Sequence, residues 1–591
     1  MKRTLKVLVA VVLVIAGSVP LLCQQVFEVN LNDRSGDTFK VTLHPVPLSD
    51  ANAVFQFAAS APGVYQVMDI GRFVNNFRAF DRSGEEVPTT HTSTDQWTLT
   101  RPRDVATITY TVDDIWNTKI KEDEIYPMCS STISDDFVMM NGQCVFGYFT
   151  GMQTEPIKIK VDYPAAWTVG TALTRDKDGY YEAEDFDKVV DSPFFLGKMS
   201  TATTTIGGAA IDVFTYSKTG LIPSDSTLAC LRSILKAESD FTRGLPVDRY
   251  VFLFYFGDVT VGAWEHSYSS EYVFREDTLK PGYVAAINTI VAHEFFHVNV
   301  PLNLHSELVE HFNFVKPVMS QHLWLYEGTT EWAAHILQLR DGLITLRQYL
   351  QTLQGQLNAN DAFDQHLSLT ALGVNSTQLQ DQYVNIYQKG ALVSTLLDIR
   401  LLELSHGKAG LRELLLELSK KYGKKRAFSE EGFFSQLVTM TYPEIGDFIK
   451  RYIQGTDKLP VLEYFRWLGI DYQETGEVDS SQSSLGVGLR PVDEEIGVTM
   501  VYDDSKSGLK VGDIIKKIDG TPLTFGNVQS LFGKLRTEKP GTTVIFTVRR
   551  DGTETNVAAI LQPRVTRHIF TVDPDATPAE KALREVWMKN M

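Results

Sequence analysis

The sequence predicts a multidomain chain: an N-terminal β-sandwich-like domain, a mainly α-helical central domain, and a small β-rich module near the C-terminal end. Two observations carry this. The hydrophobic pattern changes from short alternating runs to helical periodicity near residue 204, and a polar, serine-rich stretch at 474–484 (ETGEVDSSQSS) separates the helical part from a last β-rich block. The length of 591 residues, with 43% hydrophobic and 11% aromatic, suffices for several buried cores and excludes disorder as the main state. With 73 acidic against 56 basic residues the net charge is −17, so a global basic field for nucleic acid is absent. Beyond residue 17 no apolar run approaches the roughly 20 residues that span a bilayer.

Residues 1–23 read as a secretory signal peptide. Lys2, Arg3 and Lys6 precede an apolar run over 7–16 that is too short and wrongly flanked for a spanning helix. Export to a periplasm or the exterior is expected, with cleavage near Cys23 or lipid anchoring through Cys23 as the alternative; Leu22 is bulky for the latter. Residues 24–203 form the expected β domain, with alternating runs at 26–31, 39–43, 106–112 and 157–161 broken by turns. Cys129 and Cys144 make a reasonable disulfide pair in an oxidising compartment, and Cys230, among Leu228, Leu231, Ile234 and Leu235, reads as a buried apolar filler. Residues 204–473 open with strands near 211–216 and 250–256. Helices are then predicted at 283–300, 319–340, 345–359, 382–405, 409–421, 430–440 and 444–454. A linker at 474–484, a β-rich module at 485–562 and a tail at 563–591 complete the chain, the tail helix starting at a Thr577-Pro578-Glu580 capping box.

The chemistry-bearing residues lie on two of these helices. His293-Glu294-Phe295-Phe296-His297 sits in an apolar-periodic segment. Four residues are about one helical turn, so both imidazoles leave one face and can close on a single ion. Zinc accepts neutral imidazole in a compact set with one open position, and Glu294, beside the ion, is placed to take a proton from the attacking water. Ionisable groups on a buried apolar helix would be costly without such a use. A third ligand is needed, and Glu327 in Trp324-Leu325-Tyr326-Glu327-Gly328, 30 residues after His297, is the best candidate. His305, Glu307, Glu310, His311 and His322 compete with it from the intervening polar segment, and Glu331 is one turn further on, where it could orient a ligand.

These blocks resemble the gluzincin metallopeptidases (thermolysin-like catalytic domains), and among them the glycyl-aminopeptidase family that carries a C-terminal PDZ domain. The resemblance runs through nearly all of the chain after residue 23. Pro62-Gly63-Val64-Tyr65, Asn141-Gly142, Val190-Asp191-Ser192-Pro193, Gly262-Ala263-Trp264-Glu265-His266 and Tyr387-Gln388-Lys389-Gly390-Ala391-Leu392 are similar to that family's landmarks. The resemblance implies one zinc ion per chain, a substrate α-ammonium held by Glu265, and an oxyanion hydrogen bond from Tyr387. It also implies an aminopeptidase that removes a small N-terminal residue, glycine or alanine. His266 and Asn299 are further pocket candidates. The chain departs from the pattern after His297 (Val-Asn-Val-Pro-Leu-Asn) and after Glu265 (His-Ser-Tyr-Ser-Ser), where the family more often has other residues. The segment Gly508-Leu509-Lys510-Val511-Gly512-Asp513-Ile514-Ile515 resembles PDZ domains, which capture a peptide C-terminus by strand addition. Two other readings stay open at this stage: a zinc endopeptidase of the same fold, and a catalytically idle peptide-binding protein using the PDZ-like module.

Overall fold

The computed structural model describes residues 24–591 apart from 121, 260, 261, 425, 493, 494 and 503. The signal-peptide segment and Cys23 lie outside the described residues. Among these residues no helix is long and apolar enough to cross a membrane.

The N-terminal part is β-rich. An eight-stranded sheet and two four-stranded sheets enclose one apolar core. Gln25–Asn30 runs parallel to Ile157–Asp162 and antiparallel to Thr38–His44. Its alternation is the reason it forms an edge of that core: Phe27 and Val29 face inward while Glu28 and Asn30 do not. Cys129 and Cys144 are both buried in this domain with free thiols, which corrects the expected disulfide. The Cys144 Sγ instead donates to the Cys129 carbonyl at 3.4 Å, and burial pushes both thiols up, so they pack as neutral apolar groups. Cys230 is only half-buried, because its helix turns that position partly outward.

The central part builds a five-stranded sheet in the order Ser200–Ile206, Ala209–Ser217, Arg249–Gly257, Ser269–Arg275, Gly262–Glu265. The middle three strands are parallel, and the two outer ones antiparallel to their neighbours. Arg249–Gly257 is continuously apolar after its first residue, as a central strand covered on both faces must be. Gly262–Glu265 is the short edge strand and ends on Glu265. Helices Ser224–Thr242, Pro281–Phe296, Thr329–Arg340 and Asn385–Leu404 contribute to a single core with this sheet.

Two helix predictions change at their ends. The helix expected over 283–300 stops at Phe296, because the chain turns through 297–300 into Pro301. The helix expected over 319–340 starts with a wide π turn over Trp324–Gly328, in which Thr329 N–H reaches back to the Trp324 carbonyl, before Thr329–Arg340 continues as α-helix. Gly328 of that turn lies against Gly390 of Asn385–Leu404: a Cβ on Gly328 would sit 2.5 Å from Gly390 Cα. The glycines of the E-G and K-G-A-L segments thus let two backbones touch.

The segment 474–484 is not a free linker. It belongs to the strand Ile470–Ser484, which pairs antiparallel with Gln562–Val572. The serine-rich composition reflects an exposed ribbon, not an unpaired chain. The six-stranded PDZ unit hangs from this two-stranded ribbon, and its helix is Val528–Thr537. The tail then returns to the central domain: Pro578–Lys589 starts at the Thr577 capping box, and Trp587 is fully buried, its carbonyl accepting from Arg340 Nε at 2.9 Å.

Candidate metal centre and peptide site

The motif helix delivers His293 and His297 to one face, with His297 at its C-cap still in helical conformation, so the one-turn spacing survives the helix end. The π turn inserts Glu327 opposite them. His293 Nε2 lies 3.3 Å and His297 Nε2 3.5 Å from Glu327 Oε2, and the three ligand atoms fall within 4.8 Å of one another. Behind the rings, His293 Nδ1 meets Glu331 Oε2 at 2.9 Å and His297 Nδ1 meets the Val300 carbonyl at 2.8 Å. Both partners only accept, so each Nδ1 carries the hydrogen and each Nε2 lone pair points inward. Two inward imidazole nitrogens and a carboxylate oxygen make a donor set that fits zinc. Glu331 is itself held by His335 Nε2 at 3.0 Å.

Burial and the facing charges pull the groups of this cluster in opposite directions. Burial alone would raise the carboxyl of Glu327, yet the facing His297 and His293 hold it well below the usual range. Burial would lower His297, but Glu265 and Glu327 outweigh it and hold the imidazole up to about 9. A divalent ion bound here would compete with protons for the same ring nitrogens. Burial pushes Glu294 up, against the pull of His293 and His297.

Glu265 arrives from the edge strand. It is buried, its carboxyl pushed up to about 8 by burial, and its oxygen lies within 4.8 Å of ligand atoms of both Glu294 and His297. Tyr387, from the first turn of Asn385–Leu404, has its ring centroid 5.6 Å from that of His293 and its hydroxyl 2.7 Å from that of Tyr383. All six residues expected at the site line one cavity of about 370 Å3.

The competing ligands go elsewhere. His305 Nδ1 donates to the Pro301 carbonyl, and His322 Nε2 meets the Glu430 carbonyl at 2.7 Å. Glu307 accepts from Glu430 N–H, and Glu310 faces His311 at the surface. Sequence reasoning missed two tyrosines. Tyr65, from the N-terminal domain, has its ring centroid 5.6 Å from that of Tyr383 at a tilt of 36°, and burial together with the charge of Glu327 pushes its hydroxyl up. Tyr383 sits one turn before Tyr387, a spacing that places both hydroxyls on one face and was available in the sequence.

Similarity to known proteins extends over most of the chain. The Peptidase M61 N-terminal domain profile matches residues 26–198, the M61 glycyl aminopeptidase profile residues 286–393, and a PDZ domain profile residues 483–561. The chain belongs to the M61 glycyl aminopeptidase family. The M61 match spans both motif helices and reaches past Tyr387, so this chain is a peptidase. An aminopeptidase N family protein from Idiomarina loihiensis superposes with a TM-score of 0.79 at 21% identity, over 96% of this chain and 100% of that one, and shares the fold. Native yeast LTA4 hydrolase aligns over 76% of this chain and 72% of its own at 12% identity, with a TM-score of 0.45. No curated protein matches the chain.

Proposed function

We propose that this M61 peptidase is a zinc-dependent aminopeptidase. One observation carries the reading: the buried carboxylate of Glu265 sits within 4.8 Å of the Glu294–His297 face, so a cationic group bound there ends the peptide at the catalytic centre. Zinc, held by His293, His297 and Glu327, would supply the Lewis acidity that polarises the first peptide carbonyl and acidifies water. Glu265 accepts hydrogen bonds from the substrate α-ammonium and fixes the register at one residue. Glu294 removes a proton from the attacking water, whose oxygen bonds to the carbonyl carbon. The same carboxyl then gives the proton to the amide nitrogen, the C–N bond breaks, and an amino acid and a shortened peptide leave. Tyr387 donates to the developing oxyanion. Tyr383 orients Tyr387, and Glu331 orients His293. We further propose that the leader at 1–23 exports the protein and that the PDZ unit receives a peptide C-terminus.

The test is release of free amino acid from unblocked peptides, with and without a chelator, by wild type and Glu294→Gln. Chelator-sensitive release that falls at least about 1000-fold in the variant is expected, since a general base and its proton return are both lost. Release that persists in the variant contradicts the mechanism.

A further inference from the structure

A cavity of about 620 Å3 lies where the PDZ unit, its ribbon and the central domain meet. One wall belongs to the PDZ unit: Leu485, Val487 and Leu489 come from the loop and strand at 485–492, and Phe532 and Leu535 from helix Val528–Thr537. Val487–Val492 is the end strand of its sheet, so one edge of its backbone has no strand partner among the described residues. Gly486, just before it, turns the chain at a φ of 65°, which L residues rarely adopt.

The opposite wall is not part of the PDZ unit. Gln351, Gln354, Gly355 and Asn358 present one face of the central-domain helix Leu346–Asn360 to the same space. Gln354 Nε2 donates to the Arg567 carbonyl of the ribbon at 2.7 Å, and a Cβ on Gly488 would lie 3.3 Å from Ala362 Cβ, so the two units touch around the cavity. Gly355 sits in mid-helix, where glycine is unfavourable, yet a Cβ there would meet nothing within 4 Å. No packing within the chain requires a glycine at 355, and its missing side chain widens the cavity.

The charges of this space are one-sided. Arg536, Arg564 and Arg567 line it and no aspartate or glutamate does, in a chain with 73 acidic against 56 basic residues. Arg567 pairs with Asp504 at 2.7 Å and Arg564 donates to the Gln482 side chain at 2.7 Å. Arg536 is exposed and makes no ion pair among the described residues. An anion with an apolar neighbour suits arginines beside Leu485, Val487 and Phe532.

Resting on the reading of the PDZ unit as a receiver of peptide C-termini, we propose that its binding site is completed by the catalytic domain. A peptide with an apolar last residue lies along Val487–Val492, its free carboxylate toward the arginines, and the Gln351–Asn358 face of the catalytic helix covers it. The side-chain amides of that face both donate and accept, as peptide backbone requires. Ligand affinity is then set partly by residues outside the PDZ unit, and a bound peptide end bridges the two units.

The test measures, by calorimetry, binding of an N-acetylated pentapeptide ending in leucine, with a free carboxylate or a C-terminal amide, to the full chain carrying Glu294→Gln so that the probe stays intact. The free acid should bind about tenfold or more tightly than the amide, which lacks the charge-assisted hydrogen bonds. Added to this background, Gly355→Trp fills the cavity from the catalytic side and should weaken the free acid by about tenfold or more, while Gly355→Ala leaves it nearly unchanged. Gln351→Trp, at an exposed position on the same face, repeats the test should Gly355→Trp not fold. Affinity for the free acid that survives both tryptophan substitutions overturns the composite site and leaves a PDZ unit that receives the peptide alone. An amide that binds as well as the acid, or no binding of either, overturns the PDZ reading as well.

Discussion

Glu331 takes the Nδ1 hydrogen of His293 and, through its other oxygen, faces His335 at 3.0 Å, so one carboxylate keeps a ligand ring in a single tautomer. Losing it frees the ring to rotate without touching the ion. Glu331→Ala should therefore weaken zinc by about 10–100-fold in a chelator competition titration; an affinity within threefold of wild type would contradict the role. His266 acts on stability instead. Burial pushes its imidazole down to about 4, with Asp191 opposing, while the unfolded chain takes the proton near 6.5. Between those values the unfolded state binds a proton that the folded state refuses, so stability present above pH 6.5 is lost as pH falls through 4. His266→Asn removes this contribution. Its urea midpoint should fall less between pH 7 and 4.5 than that of wild type, and an equal fall would remove His266 as the cause.

At the level of elements, the site depends on two helices meeting at glycines. A Cβ on Gly390 would lie 2.7 Å from Gly328 Cα, and backbone cannot yield as a side chain can. Gly390→Ala should cost about 1–3 kcal/mol in denaturant unfolding and reduce turnover, because Tyr387 and Glu327 ride on the two elements forced apart. Gly282→Ala, also in a helix and with nothing within 4 Å of the added Cβ, should be neutral or stabilising. Much of this was legible beforehand. The spacing of His293 and His297 fixes a shared face by helical geometry alone, and Glu327 stood out because an apolar helix does not otherwise hold a carboxylate. The π turn was not legible, since a one-residue widening leaves the apolar pattern almost unchanged. Tyr65 reaches Glu327 from another domain, 262 residues earlier, and no local pattern records such a contact. The segment 474–484 misled because composition reports exposure, whereas pairing with 562–572 decides structure.

The whole molecule assembles the site from separate units. The Pro62–Tyr65 loop of the N-terminal domain is tied to the central domain by Gln380 Nε2, which donates to the Tyr65 carbonyl at 2.8 Å. The PDZ unit and its ribbon are tied to the same region: Arg490 donates to the Asp381 carbonyl at 2.7 Å and lies over Phe363 at 3.8 Å, and His568 meets Asp361 at 2.8 Å. Arg490→Ala should loosen this docking, visible as faster hydrogen exchange across the PDZ strands with the central sheet unchanged; unaltered exchange would mean that the ribbon alone holds the unit. The most direct measurement of the central claim is kcat/KM of one leucine-initiated peptide, free and N-acetylated, for wild type and Glu265→Gln. An ammonium held by Glu265 predicts that acetylation abolishes cleavage by wild type and that the variant loses about 100-fold or more on the free peptide. Wild type that cleaves the acetylated peptide as well as the free one would contradict it.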